Sequence, residues 1–104
     1  MKRQLATEIE ITAALAALPQ WTRHGRVLRA SYHFASFAAA VKFTQRIAAI
    51  AEKANHHPEW TVRYRVVEVV TTTHDAGGIT AADFNLARSI HVAASRATRG
   101  TRRK

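Results

Sequence analysis

The stretch that decides how this chain folds is residues 61–73, which read TVRYRVVEVVTTT. It is rich in β-branched side chains, which favour extended strands. Apolar residues alternate with polar ones up to Val66, and from Val67 onward the alternation continues on the opposite phase. A change of phase requires a bulge or a tight turn, because neighbouring residues of a strand point to opposite faces of the sheet. We therefore predict two strands here, joined by a turn near residues 65–67.

Two further strands are predicted upstream. A short strand covers residues 21–24, Gly25 gives a turn, and a longer strand runs from about residue 26 to residue 34. In the longer strand apolar residues recur with period two, so one face is apolar and the other mostly polar. The apolar face consists of Leu28, Ala30, Tyr32 and Phe34. The pattern predicts a hairpin with one face toward a core and one toward solvent.

Two helices flank the strands. The first is predicted over about residues 8–18, because Thr7 and Glu10 have the spacing of a capping box. The last begins after Thr80, which can cap it, and ends near Gly100.

A long helix separates the two strand pairs. Ser36 can cap its start, and it ends at about residue 55, because the residue before Pro58 avoids the helical conformation. Its apolar residues recur at helical spacing. One stripe consists of Phe37, Val41, Thr44, Ala48 and Ala51, with Ala40 and Ile47 beside it, and Phe43 and Ile50 widen the apolar face. The resulting order, α-β-β-α-β-β-α, predicts an α+β fold in which helices pack on one face of a four-stranded antiparallel sheet.

The size and composition of the chain fit one folded domain. It has 104 residues, of which 47% are hydrophobic and 22% charged, values typical of a globular domain with one core. There is no cysteine, which excludes disulfides and thiolate chemistry. No apolar run approaches the roughly 20 residues of a membrane helix, and the first ten residues lack the apolar segment of a secretory signal. We therefore expect a single domain over residues 1–104, located in the cytoplasm and not in a membrane.

The charge of the chain is strongly basic, with a formal net charge of +9. More than half of the excess falls in the last nine residues, which we predict to form a flexible tail over about residues 96–104. Its basic residues are Arg96, Arg99, Arg102, Arg103 and Lys104. Because a basic protein attracts phosphates and nucleic acid, a basic binding module is one hypothesis for the function.

The unusual local feature is the run NHHPEW at residues 55–60, where the long helix gives way to a strand. Histidine exchanges protons near neutral pH, so it serves readily in acid–base catalysis. His56 and His57 are adjacent and point in different directions, so they can contact different parts of one ligand. His74 ends a predicted strand just before Gly77-Gly78, and strand ends commonly carry functional sites.

Each candidate residue also has a purely structural explanation. Asp83 lies three residues after Thr80 and can complete the cap of the last helix. Glu52 can be a solvated helix charge and Trp60 a core or rim aromatic. The tandem histidines can form a surface turn. Taken one at a time, these residues do not identify a site.

The spacing of the histidines does not predict a metal site. Zinc accepts imidazole nitrogens, but adjacent histidines rarely converge on one ion, and neither HxH nor HExxH occurs. We treat His24, His33 and His91 as structural or surface residues. The GxSxG, GxGxxG and GxxxxGK patterns are also missing.

Taken together and in order, however, the candidates resemble a known family. Residues 52–60, EKANHHPEW, are followed by Tyr64, by Thr73-His74 and by Asp83 at the start of the last helix. This combination resembles the signature of the pterin-4a-carbinolamine dehydratases: an acidic residue four positions before His-His-Pro, an aromatic on the next strand, a later histidine and an aspartate opening the last helix. The resemblance extends from about residue 21 to about residue 90.

The resemblance implies an activity and its partners. Enzymes of this family dehydrate 4a-hydroxytetrahydrobiopterin to quinonoid dihydrobiopterin, which a reductase can recycle. The pterin substrate would be processed without a metal or an organic cofactor. A homodimer or homotetramer, formed through strand edges and helices, is implied, and nucleic acid is not expected as a partner. A dimerisation partner that binds pterin without turnover is the remaining alternative.

The resemblance also implies residue roles. The catalytic group is His56, His57 and His74, in which His56 and His74 exchange protons and His57 holds and polarises the pterin. The substrate-binding residues are Asn55, His56, His57, Thr72, Thr73, His74 and Asp75. Supporting residues are Glu52, Trp60 and Asp83.

Overall fold

The computed structural model describes residues 4–102 of the chain, with the backbone alone described for residues 98–102. The elements follow the predicted order, α-β-β-α-β-β-α. The helices are α1 (Glu8–Ala16), α2 (Phe37–Ala54) and α3 (Ala81–Arg102), and the strands are β1 (Trp21–His24), β2 (Val27–His33), β3 (Glu59–Arg63) and β4 (Val66–Thr71). A one-turn 3₁₀ helix, His74–Ala76, follows β4. The predicted α+β fold class is confirmed.

The four strands form one antiparallel sheet in the order β1-β2-β4-β3. The two central strands pair with Ala30 opposite Val69, and β3 pairs with β4 so that Trp60 lies opposite Val69. The predicted change of phase occurs in the short turn between β3 and β4. There Tyr64 has a φ of 53°, which reverses the chain so that the apolar alternation restarts from Val67.

The core lies between the sheet and the α2–α3 pair. Strand β2 buries Leu28, Ala30 and Tyr32, as its period-two pattern predicts, and β4 buries Val67 and Val69. The helices contribute the buried side chains Ala40, Phe43, Ile47, Leu86, Ala87 and Ile90. Burial of these apolar side chains holds the helices on one face of the sheet.

The predicted apolar face of α2 is buried only in part: Ala40, Phe43, Ile47 and Ala51 face the core, whereas its first two members do not. Phe37 is 53% exposed and Val41 is 37% exposed, whereas Phe43 and Ile47 are fully buried. An alanine-rich helix offers more than one apolar stripe at helical spacing. The orientation observed buries two of its bulkiest side chains, which removes more apolar surface from water.

The predicted capping box at the start of α1 is confirmed. The Glu10 N–H donates to Thr7 Oγ1 at 3.1 Å and the Thr7 N–H donates to Glu10 Oε1 at 2.8 Å. The helix ends at Ala16, two residues before the predicted end.

The last helix, α3, continues beyond its predicted end near Gly100 and ends at Arg102. The backbone of residues 96–102 is therefore helical, and residues 103–104 lie outside the described residues. The flexibility expected for residues 96–104 stays a prediction. Between residues 4 and 102, no helix has both the length and the apolar character needed to cross a membrane.

Candidate active site

The end of α2 separates the tandem histidines. Asn55 adopts the left-handed conformation, with a φ of 52°. The Asn55 N–H donates to Glu52 O and the His56 N–H to Ala51 O, at 3.2 and 3.1 Å. These two bonds form a Schellman cap, for which asparagine is one of the suitable residues. The chain thereby turns back toward the core, so His56 is only 7% exposed while His57 lies on the surface.

The imidazole of His56 contacts the buried carboxylate of Asp83. His56 Nε2 lies 2.7 Å from Asp83 Oδ1, and Asp83 is fully buried near the start of α3. The Thr71 hydroxyl donates to the same oxygen at 2.7 Å. The other oxygen, Oδ2, accepts from the Thr73 hydroxyl at 2.8 Å and from the Thr80 N–H at 2.9 Å. One carboxylate thus joins the end of α2, β4 with the residues after it, and the start of α3.

The number of partners fixes the direction of these hydrogen bonds. An ionised carboxylate only accepts, and its two oxygens offer about four lone-pair sites, which match the four partners of Asp83. Each partner must then donate, so His56 presents its Nε2 proton to Asp83. Because the Thr73 proton is committed to Asp83, the Thr80 hydroxyl donates to Thr73 Oγ1 at 2.8 Å and accepts from the Ala82 N–H at 3.2 Å.

Asp83 therefore serves both roles that its sequence position allowed. It accepts from the backbone N–H of Thr80 and so helps to cap α3, and it also contacts His56. Such full satisfaction is required of a buried charge, because a buried carboxylate without partners is strongly destabilising.

The second histidine, His57, pairs with the acidic residue upstream. His57 Nε2 lies 2.7 Å from Glu52 Oε2, with 56% of the His57 side chain and 77% of the Glu52 side chain exposed. The pair spans the helix end around Asn55, which is itself exposed. It leaves the His57 ring at the surface, close in sequence to the buried His56.

The third histidine, His74, opens the 3₁₀ helix that follows β4, and both His74 and Asp75 are exposed. The preceding residue, Thr73, points inward to Asp83 and is 1% exposed. Its N–H donates to Gly78 O at 2.9 Å, which closes the loop. His74 is thus attached to the His56–Asp83 cluster through one buried neighbour.

The remaining predicted residues surround this cluster less directly. The Thr72 hydroxyl donates to Arg26 O at 2.6 Å and anchors the segment to the start of β2. Trp60 lies on the edge strand β3 and is 37% exposed. No contact of Trp60 with a histidine is seen among the described side chains.

A cavity of about 530 Å³ opens beside His56. Among the described residues, its lining is Gln4, Ala54, His56, Thr80, Ala81, Ala82 and Asn85. Of the predicted site residues only His56 is part of this lining; His57 and His74 are not. The cavity is large enough for a small organic ligand.

Sequence reasoning missed two residues of the cluster. They are Thr71, on β4, and Thr80, which the sequence predicts only as a helix cap. The available signal was the threonine run at residues 71–73, whose first and third members share one face of the strand. Their common target, Asp83, is distant in sequence and so was not identified. Within residues 4–102 no group of three or more metal-ligating side chains is arranged around one point.

Comparison with known proteins identifies the family. The profile of the family described as Pterin 4 alpha carbinolamine dehydratase matches residues 4–93. A relative from Bordetella avium, provisionally named a pterin-4-alpha-carbinolamine dehydratase, is 46% identical over 91 residues, which are 86% of this chain and 84% of the relative. The chain belongs to the pterin 4 alpha carbinolamine dehydratase family, as its resemblance predicted.

Solved structures show the same fold. The crystal structure of a transcriptional coactivator/pterin dehydratase from Brucella melitensis superposes with a TM-score of 0.83 at 35% identity, and the match covers 88% of this chain and 99% of that one. A pterin dehydratase-like protein, described as a RuBisCO assembly factor in the alpha-carboxysome, superposes with a TM-score of 0.62 at 22% identity, covering 72% and 89%. The second match shows the fold alone.

Proposed function

We propose that this protein dehydrates 4a-hydroxytetrahydrobiopterin to quinonoid dihydrobiopterin by histidine acid–base catalysis. The observation that carries the proposal is the contact between His56 and the buried Asp83. His56 lines a cavity, and Asp83 also binds Thr73, the residue before His74. Membership of the family supplies the substrate class.

The reaction needs two proton transfers. The bond between carbon 4a and its hydroxyl oxygen breaks, and a general acid protonates the departing hydroxide to water. A general base takes the proton from nitrogen 5, whose electrons form the new double bond to carbon 4a. The catalyst therefore ends with the same number of protons as it began, and no oxidant or metal is required by the balance.

We assign these transfers to His56 and His74. Each positioned acid or base typically contributes about 10²–10⁴-fold in rate. His57 would hold and polarise the pterin, with its ring oriented by Glu52. Asn55 and residues 72–75 would line the ligand, and Asp83 would orient His56 without touching the substrate.

The test is a dehydration assay with purified protein and freshly generated 4a-hydroxytetrahydrobiopterin. His56→Ala and His74→Ala should each lower kcat by about 10²–10⁴-fold. The matched controls are His24→Ala and His33→Ala, which remove exposed histidines of the β1–β2 hairpin. Wild-type rates in both site variants would refute the mechanism. Pterin binding without turnover by the wild-type protein would instead support a binding role.

We further propose that the enzyme acts in pterin recycling in the cytoplasm, without a cofactor, as a homodimer or homotetramer. The support for self-association is the edge strand β3, which leaves Trp60 and the following Tyr64 37% and 68% exposed. Unpaired strand edges readily pair with another chain. Light scattering across a concentration series should show a mass of two or four chains, and a monomer at all concentrations would contradict this part.

A further inference from the structure

The outer surface between α2 and α3 carries two adjoining hollows, of about 380 and 360 Å³. The first is floored by Phe34 and Phe43, and Arg46 and Arg96 line both hollows. Four exposed basic side chains surround them. We call this surface the basic seam, formed by Lys42, Arg46, Arg88 and Arg96.

The charges of the basic seam are not neutralised by neighbouring acids. The sequence has no aspartate or glutamate at residues 37–51 or at residues 84–104. Among the described residues, none of the four seam side chains takes part in an ion pair. Arg88 donates to the neutral side chain of Asn85. The seam is therefore a concentration of positive charge that the fold itself does not use.

Helix geometry arranges these cations in rows. Lys42 and Arg46 are four residues apart on α2, and Arg88 and Arg96 are eight residues apart on α3. At 1.5 Å per residue, neighbouring charges of a row follow at about 6 and 12 Å along the helix axis. An extended partner with repeated negative charge matches such rows.

We propose that the basic seam binds the phosphodiester backbone of nucleic acid. Three of its four cations are arginines, whose planar guanidinium donates two hydrogen bonds to one phosphate. Repeated phosphates need no single deep pocket, which fits shallow hollows along two helices. A second copy of this chain is a poor occupant, since it would place four more cations against the same surface.

Three of the four seam residues lie away from the candidate active site, and the fourth, Arg88, donates to Asn85 in the lining of the cavity beside His56. Lys42 and Arg46 lie in the first two-thirds of α2 and Arg96 in the second half of α3, whereas His56 follows the end of α2 and Asp83 lies near the start of α3. Arg46 and Arg96 can therefore be changed without altering the lining of the proposed dehydratase site. The proposal goes beyond the sequence expectation, which did not include nucleic acid as a partner.

The test is fluorescence anisotropy of a labelled duplex DNA of about 20 base pairs, titrated with the full-length protein between about 50 and 200 mM salt. Binding should weaken as salt rises, because each neutralised phosphate contributes about −0.9 to the log–log slope. Arg46→Gln/Arg96→Gln should weaken binding at low salt and make the slope shallower by about 1.8. The matched control, Arg29→Gln/Arg65→Gln, removes the same charge from exposed positions on β2 and at the turn before β4.

The outcomes distinguish binding at the basic seam from binding that depends only on the net charge of the protein. Loss in the seam variant with retention in the control supports the proposal, provided that both variants keep the wild-type circular dichroism and Tm. Equal losses in both variants, or no binding at the lowest salt, overturn it. Equally tight, seam-dependent binding to polyglutamate or to phosphatidylserine vesicles overturns the assignment to nucleic acid.

Discussion

Nε2 of His56 lies 2.7 Å from Oδ1 of Asp83, and the two residues are 27 positions apart in the chain. The contact joins the loop after α2 to the first turn of α3, and both side chains are buried. Because Asp83 accepts a hydrogen bond from Nε2, the carboxylate fixes the tautomer and the orientation of the ring. We propose that Asp83 is a positioning residue, whose effect can be measured apart from that of His56.

Asp83→Asn should lower kcat by roughly 10–100-fold and change KM much less. The side-chain amide of the Asp83→Asn variant would point its NH₂ group at side chains that donate to Asp83 in the wild type. The hydrogen bond to His56 would then be lost or weakened, and the ring would lose its fixed orientation. Steady-state kinetics and ¹⁵N chemical shifts of the His56 ring would report the two effects. The control Glu59→Gln neutralises an exposed carboxylate on β3 and should leave both unchanged. An unaltered kcat in Asp83→Asn would exclude the positioning role.

Thr71→Val should destabilise the fold by about 1–3 kcal/mol, because the buried Asp83 carboxylate would lose one of its donors while side-chain volume hardly changes. Thr71→Ser, which keeps the hydroxyl, should recover most of this free energy. Urea unfolding measures the difference. Thr61→Val on exposed β3 is the matched control and should lie within about 0.5 kcal/mol of wild type. Equal stability of the two valine variants would show that the Thr71 bond contributes nothing.

Most of the fold could be predicted because its signals are local. The alternation Leu28-Ala30-Tyr32 and the capping box at Thr7 and Glu10 each lie within a few residues. The orientation of α2 about its axis could not be predicted from the sequence. Several apolar stripes satisfy helical spacing, and packing against the sheet selects one of them. The buried stripe contains Phe43 and not Phe37.

The site was predictable only in part, for a similar reason. The sequence left Asp83 as either a helix cap or a partner of a histidine, and in the structure it is both. The choice depends on a tertiary contact, which no short pattern encodes. Thr71 was missed because nothing in its neighbourhood indicates that its hydroxyl meets a carboxylate 12 residues later.

Glu52→Gln should raise KM several-fold with little change in stability. The His57–Glu52 pair is largely exposed, and exposed pairs contribute at most about 1 kcal/mol, so the expected effect is on the orientation of His57 against the pterin. Substrate titration measures the change in KM, and urea unfolding measures the change in stability. Lys53→Gln changes an adjacent exposed charge on the same helix and should leave KM as in wild type. An unchanged KM in Glu52→Gln would remove the supporting role assigned to this residue.

The free energy of unfolding should fall at alkaline pH because Tyr32 is buried with its proton. Burial raises its pKa to about 12, although the hydrogen bond from Trp21 opposes this; the Trp21 Nε1–H donates to the Tyr32 hydroxyl at 2.7 Å. The unfolded pKa is about 10, so stability is complete below about pH 10 and falls as pH rises toward 12, because the unfolded chain loses this proton first. The chain has two tyrosines, so Tyr64→Phe leaves Tyr32 alone in a tyrosinate absorbance titration. A midpoint near 10 in that variant, or the same alkaline loss of stability in Tyr32→Phe as in wild type, would contradict the prediction.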